Sequence, residues 1–185
     1  ASILMMARKG TRSFVVGSCN EHAIARNIKI IASAFPGIPL VQFLVEVMIA
    51  RRSDDPNKAK TATSFSFTDI DEEYIEEGSY HAYNVIKAFG SAGETISLRS
   101  NVCKLADPFM HCLEWRITIP GNHIGSRIIE AAREDPFTAT TKEMQSNIVY
   151  WDSKEVENFD VPVWFIADRC YMHTILCEPT IRATH

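Results

Sequence analysis

The chain has 185 residues, of which 46% are hydrophobic and 23% charged, and its net charge is −4. That length fits a single domain over residues 1–185 with a full core. The acidic balance, with no basic stripe, argues against a nucleic-acid partner, and no run approaches the roughly 18 apolar residues of a membrane span, so no membrane partner is expected.

Taken in chain order, residues 1–11 are a lead-in. Phe14-Val15-Val16 forms a short apolar strand that ends at Gly17. Helical spacing follows from about His22 to Ala34, with Ala23, Ile24, Ile28, Ile30, Ile31 and Ala34 as the apolar positions. Pro36-Gly37 stops that helix, and the almost wholly apolar Ile38–Ile49 predicts a strand buried on both faces. Gly17 therefore lies where a strand meets a helix, the place where a phosphate is brought against helix N–H groups.

Residues 51–63 read as a loop, and Ser64–Thr68 alternates small polar and aromatic residues like a strand. The acids from Asp69 to Glu73 predict the capped start of a helix that runs on to Phe89 and ends at Gly90. Glu94–Leu98 is the next strand and arrives at Arg99-Ser100-Asn101-Val102. Further on, Trp115–Pro120 predicts a strand and Ser126–Arg133 a helix broken by Asp135-Pro136. Val161–Ile166 and Tyr171–Cys177 predict the last strands. The alternation predicts an α/β fold, a Rossmann-like doubly wound parallel sheet with helices on both faces.

Five cysteines with irregular spacing read as reduced, mostly buried thiols of a cytoplasmic protein, although removal of an organelle transit peptide would leave no trace. Cys170, His173 and Cys177 resemble zinc spacing only superficially, even with Cys103, His111 and Cys112 to recruit, so no metal is expected. Tyr150-Trp151-Asp152-Ser153-Lys154 admits two exclusive readings. By propensity, Asn147–Trp151 is a strand. On a helix, Tyr150 and Lys154 would share a face, and the ammonium would make the phenol a proton-transfer group near neutral pH.

Several segments resemble the short-chain dehydrogenase/reductase family, and nearest to them is the enoyl-acyl-carrier-protein reductase branch. Gly17-Ser18-Cys19-Asn20-Glu21-His22-Ala23-Ile24-Ala25 is similar to its G-x-x-N-E-x-x-I-A turn. Phe67–Asp71 is similar to the strand end that brackets the adenine, Ile96–Val102 to the segment ending in the family's N-N-A, and Pro179–Thr184 to the run that lines the nicotinamide. The resemblance implies an oxidoreductase that transfers hydride between NAD or NADP and a small carbonyl or enoyl-thioester substrate. It also implies a homo-oligomer.

On that basis Gly17, Ser18, Asn20 and Ile24 would face the pyrophosphate, Asp69 and Ile70 the adenine, Asn101 the ribose region, and Thr180, Ile181 and Thr184 the nicotinamide. Tyr150 would move the proton, Lys154 would tune it, and Thr138 stands near the place of the third hydroxyl. Glu46 would suit the 2′-hydroxyl of NAD, and Arg51 and Arg52 the 2′-phosphate of NADP. Two other readings stay open. One is a non-catalytic Rossmann-like binding domain. The other is a hotdog-fold acyl-thioester enzyme, because Phe35-Pro36-Gly37-Ile38-Pro39 resembles that family's F-P-G-x-P segment, which requires a long helix to follow.

Overall fold

The computed structural model describes residues 17–51, 65–67, 72–105, 110–120, 126–136, 138–141, 145, 148, 164–167 and 173–177. Helix α1 runs over Cys19–Ala34. Its start is a capping box: the Ser18 hydroxyl accepts from the Glu21 N–H, and the Glu21 carboxylate accepts from the Ser18 N–H. Its end is the Pro36-Gly37 turn, in which Ile38 N–H reaches Phe35 C=O and Gly37 takes φ 102°, a conformation open to glycine at little cost.

After a 3₁₀ turn at Leu40–Gln42, strand β1 covers Leu44–Arg51. The expected strand thus starts six residues later, and it alternates rather than being buried on both faces. Val45, Val47 and Ile49 are buried, whereas Leu44 and Glu46 are exposed. Strand, not a long helix, follows Phe35, which removes the hotdog reading.

The remaining elements are β2 (Phe65–Phe67), a 3₁₀ turn at Glu72–Tyr74, α2 (Tyr80–Ser91), β3 (Ser97–Leu105), β4 (Met110–Thr118), α3 (Ser126–Glu134), β5 (Thr138–Thr141), β6 (Trp164–Ala167) and β7 (His173–Cys177). The acidic cluster does not begin a long helix. A turn through Gly78 and Ser79 intervenes, anchored by Ser100 N–H on Glu77 C=O and by a 2.6 Å contact between the Ser79 and Ser100 hydroxyls.

The strands form one seven-stranded sheet in the order β2-β3-β1-β4-β7-β6-β5. The α/β, Rossmann-like class is as the sequence predicts, with a mixed sheet in place of a uniformly parallel one. β1 runs parallel to β3 and β5 to β6, while β4 is antiparallel to β1 and to β7. The reason is the connection. Only residues 106–109 join β3 to β4, and a parallel crossover needs roughly a dozen or more residues. The chain therefore turns back, and β4 lies on the far side of β1 from β3.

Of the described helices, α1 packs against both α2 and α3 in a single layer. Beneath it lies a continuous apolar face built from Val45, Val47 and Ile49 of β1, Leu98 and Val102 of β3, and Leu113 and Trp115 of β4. Across the layer, Asp135 binds the Arg26 guanidinium of α1 through two hydrogen bonds and also accepts from the Thr138 hydroxyl, tying α1 to the α3–β5 corner. No helix among the described residues is long and apolar enough to cross a membrane.

Candidate active site at the start of helix α1

The parallel pair β1–β3 ends at Arg51 and Lys104, paired in register. Its carboxyl end is where open α/β sheets place ligands. His111, the second residue of β4, lies at this same edge, because β4 is antiparallel and Cys112 is opposite Ala50. Helix α1 begins here as well, and Ser18 as N-cap puts Cys19 at the first helical position.

Cys19 Sγ lies 3.6 Å from His111 Nδ1. His111 is buried, and the same Nδ1 is 2.8 Å from Asn20 Oδ1. An amide oxygen only accepts, so this arrangement places a hydrogen on Nδ1, facing both Asn20 and the Cys19 sulfur. The thiol therefore meets an imidazole N–H on one side and the helix start on the other. The first N–H groups of an α-helix have no intrahelical acceptor and carry partial positive charge, which favours a thiolate.

A second layer stands behind Ser18. The Ser18 hydroxyl is 3.1 Å from Nδ1 of His81, which is 1% exposed. Glu21 receives Asn84 Nδ2 at 2.9 Å and lies 3.7 Å from His81 Nδ1. Burial pushes the Glu21 carboxyl up, but hydrogen bonds from His81, Asn84 and the Ser18 N–H outweigh it and leave its pKa below the ordinary value. The Tyr80 ring lies tilted against His81 with centroids 3.9 Å apart. Burial raises the Tyr80 phenol; Arg51 opposes that shift, and the nearby Glu21 and Cys19 add to it. Arg51 thus shares the electrostatic neighbourhood of Cys19.

The residues expected to cradle a dinucleotide are used differently. Gly17 allows a close approach, but of the Glu21 carboxylate, which lies where a Cβ would sit. Ser18 caps the helix, Asn20 turns onto His111, and Ile24 is fully buried in the core. A pyrophosphate at this turn would lie beside the Glu21 carboxylate, whose charge is met by the Ser18 N–H, Asn84 and His81.

Asn101 lies on the opposite face of the sheet, exposed, beside Glu46, Met48, Glu114 and Arg116. The two-residue alternation of strands fixes that side, since its neighbours Ser100 and Val102 face the helices. Glu46, read as a ribose partner, is on that open face too and away from the strand end. Thr138 serves the Asp135 corner. Tyr150, Lys154, Asp69, Ile70, Thr180, Ile181, Thr184 and Arg52 lie outside the described residues.

Sequence reasoning missed the Cys19–His111 pair, taking Cys19 as a core thiol. The available signal was Ser18-x-x-Glu21, a capping-box spacing that puts the intervening Cys19 at the helix start.

No protein-family model matches the sequence, and no curated protein matches it. Similarity appears at the level of structure. A probable aspartate-semialdehyde dehydrogenase from Pseudomonas aeruginosa superposes with a TM-score of 0.66 at 7% identity, covering 96% of this chain and 60% of that one. The aspartate semialdehyde dehydrogenase of Candida albicans, crystallised with NADP, gives a TM-score of 0.60 at 7% identity over 96% and 55%. Aspartate semialdehyde dehydrogenase II from Vibrio cholerae gives 0.56 at 8% over 89% and 56%. This chain thus spans less than two thirds of each of those proteins, and at these identities the likeness shows the fold. These named neighbours are aspartate semialdehyde dehydrogenases rather than short-chain reductases.

Proposed function

We propose that the chain carries the thiol half of an NAD(P)-dependent oxidoreductase acting on an aldehyde or acyl-thioester carbonyl. The single observation that carries this reading is the 3.6 Å approach of Cys19 Sγ to His111 Nδ1 at the start of α1. The fold supports it, being similar to dehydrogenases named for an aldehyde substrate, one of them crystallised with NADP.

The Cys19 thiolate attacks the carbonyl carbon and forms a C–S bond, and the displaced π electrons move onto the oxygen. N–H groups at the start of α1 face that developing charge, and His111 Nδ1–H is placed to donate a hydrogen bond to the oxygen. Asn20 holds the imidazole in the tautomer that can do so. NAD(P), where bound, would supply hydride exchange at the carbonyl-derived carbon.

A thiol nucleophile works only when reduced. That requirement suits the reducing cytoplasm proposed for this chain. Two finer expectations stand as proposals with their own tests. Proton transfer by Tyr150 and Lys154 on an enoyl thioester predicts that Tyr150→Phe loses enoyl reduction. A homo-oligomer predicts a mass above 20.8 kDa by light scattering.

The test of the main reading needs no cofactor. The protein is incubated with an activated aryl ester, and its peptides are weighed. An acyl adduct on Cys19 is expected, and Cys19→Ala should abolish ester turnover. If the adduct falls elsewhere, or Cys19→Ala turns the ester over at the wild-type rate, Cys19 is not the nucleophile.

A further inference from the structure

His81 has no part in the bond-making just described, yet its placement is unusual. It is 1% exposed, and its Nε2 is buried with no hydrogen-bond partner. An unsatisfied buried ring nitrogen destabilises a fold, and an aromatic hydrocarbon of the same shape would fill the position without that penalty. What His81 does contribute is Nδ1, which points at two groups of the Cys19 turn: the Ser18 hydroxyl at 3.1 Å and the Glu21 carboxylate at 3.7 Å.

Glu21 is the one carboxylate in the first turn of α1. Left to itself it would put negative charge beside the thiolate. Three donors draw it back toward the turn: the Ser18 N–H at 2.8 Å, Asn84 Nδ2 at 2.9 Å and the His81 imidazole. His81 is the only one of the three that also grips the residue before Cys19 by its side chain.

We infer that His81 is a positioning residue for the Cys19 nucleophile: by holding the Ser18 hydroxyl and facing the Glu21 carboxylate, it fixes the α1 turn so that the thiol sits against His111. This rests on Cys19 being the nucleophile. His81 acts through Ser18 and Glu21 and does not touch the substrate.

The experiment compares the iodoacetamide labelling rates of Cys19, Cys103 and Cys112 in the intact chain, read peptide by peptide by mass. In the wild type Cys19 should label fastest. In His81→Phe, Cys19 labelling should fall about tenfold, as expected for loss of one hydrogen bond that orients the turn. Cys103 and Cys112 should keep their rates. His81→Asn, whose amide N–H can reach Ser18, should recover most of the Cys19 rate. If His81→Phe does not fold, Ser18→Ala removes the oxygen that His81 grips and should slow Cys19 alone.

Unchanged Cys19 labelling in these variants overturns the inference. So does a parallel rise at all three cysteines, which would mean that His81 merely supports the fold. A wild type in which Cys19 labels no faster than Cys112 fails one step earlier and takes the nucleophile reading with it.

Discussion

The two faces of the central sheet are made from the same strands and serve opposite purposes. Beneath the helices, β1, β3 and β4 present Val45, Val47, Ile49, Leu98, Val102, Leu113 and Trp115, and at one end of that apolar face come the buried polar groups His111, Asn20 and His81. On the other face, one cross-strand row reads Arg99, Glu46, Arg116 and the next reads Asn101, Met48, Glu114. Polar groups are abundant on the open face, where water satisfies them. On the helix face each must find a partner or destabilise the fold. The difference teaches where to look for chemistry: a polar side chain on the covered face has to be explained, whereas one on the open face does not.

His111 should show the largest effect of that contrast. His111→Ala removes the donor that faces Cys19, and carbonyl turnover should fall by about 10²–10⁴, the usual contribution of a positioned acid–base group. Asn101→Ala, expected from the resemblance to face the ribose region but set on the open face, should leave turnover unchanged. Steady-state rates of the two variants side by side check this, and comparable losses would break the division between the faces. For stability, the same division is drawn by Leu113→Ala against Leu44→Ala. Leu113 is 0% exposed, and its truncation should cost about 2–5 kcal/mol. Leu44 is 48% exposed, and its truncation should stay within about 0.5 kcal/mol. Urea unfolding midpoints measure both.

Glu21 gives a smaller effect with a definite sign. Its carboxyl titrates below the ordinary value in the folded state, despite burial, because His81, Asn84 and the Ser18 N–H bind the charged form. A depressed folded pKa adds stability above the unfolded pKa, and that stability is lost as pH falls through the folded pKa. Wild-type stability should therefore decline below about pH 4.5, the reference value. Glu21→Gln should show a shallower decline over the same range, by about 0.5–1.5 kcal/mol for one such hydrogen-bonding group. Parallel melting curves from pH 5 to pH 3 decide it, and identical slopes would remove Glu21 from the account.

Much of the layered fold was legible in local chemistry. Apolar spacing marked α1, Pro36-Gly37 marked its end, and the break at Asp135-Pro136 marked the end of α3. Strand direction was less accessible, because alternation of strand and helix suggests parallel pairing. The short 106–109 connection, read only as a loop at Asp107-Pro108, was what reversed β4. The site was hidden for a plainer reason. Cys19 and His111 are 92 residues apart, and neither carries a local pattern that names the other. The same Asn20-Glu21 pair that suggested a reductase turn is occupied in folding the helix start: Asn20 holds His111, and Glu21 closes the capping box.

The smallest expected effect lies on the open face. Glu46 sits between Arg99 and Arg116 in one cross-strand row. Exposed charges of opposite sign attract only weakly across strands, because water and salt screen them and ordering long side chains costs entropy. Glu46→Gln should therefore change stability by less than about 1 kcal/mol, and added salt should shrink even that difference. The same substitution on the covered face would not be so mild, since nothing there replaces a lost partner. Unfolding in low and high salt measures the effect. A loss well beyond that range, insensitive to salt, would mean that the Glu46 row is shielded from water in solution. A second copy of the chain would be the first cover to test for, by light scattering of the wild type and Glu46→Gln at the same concentration.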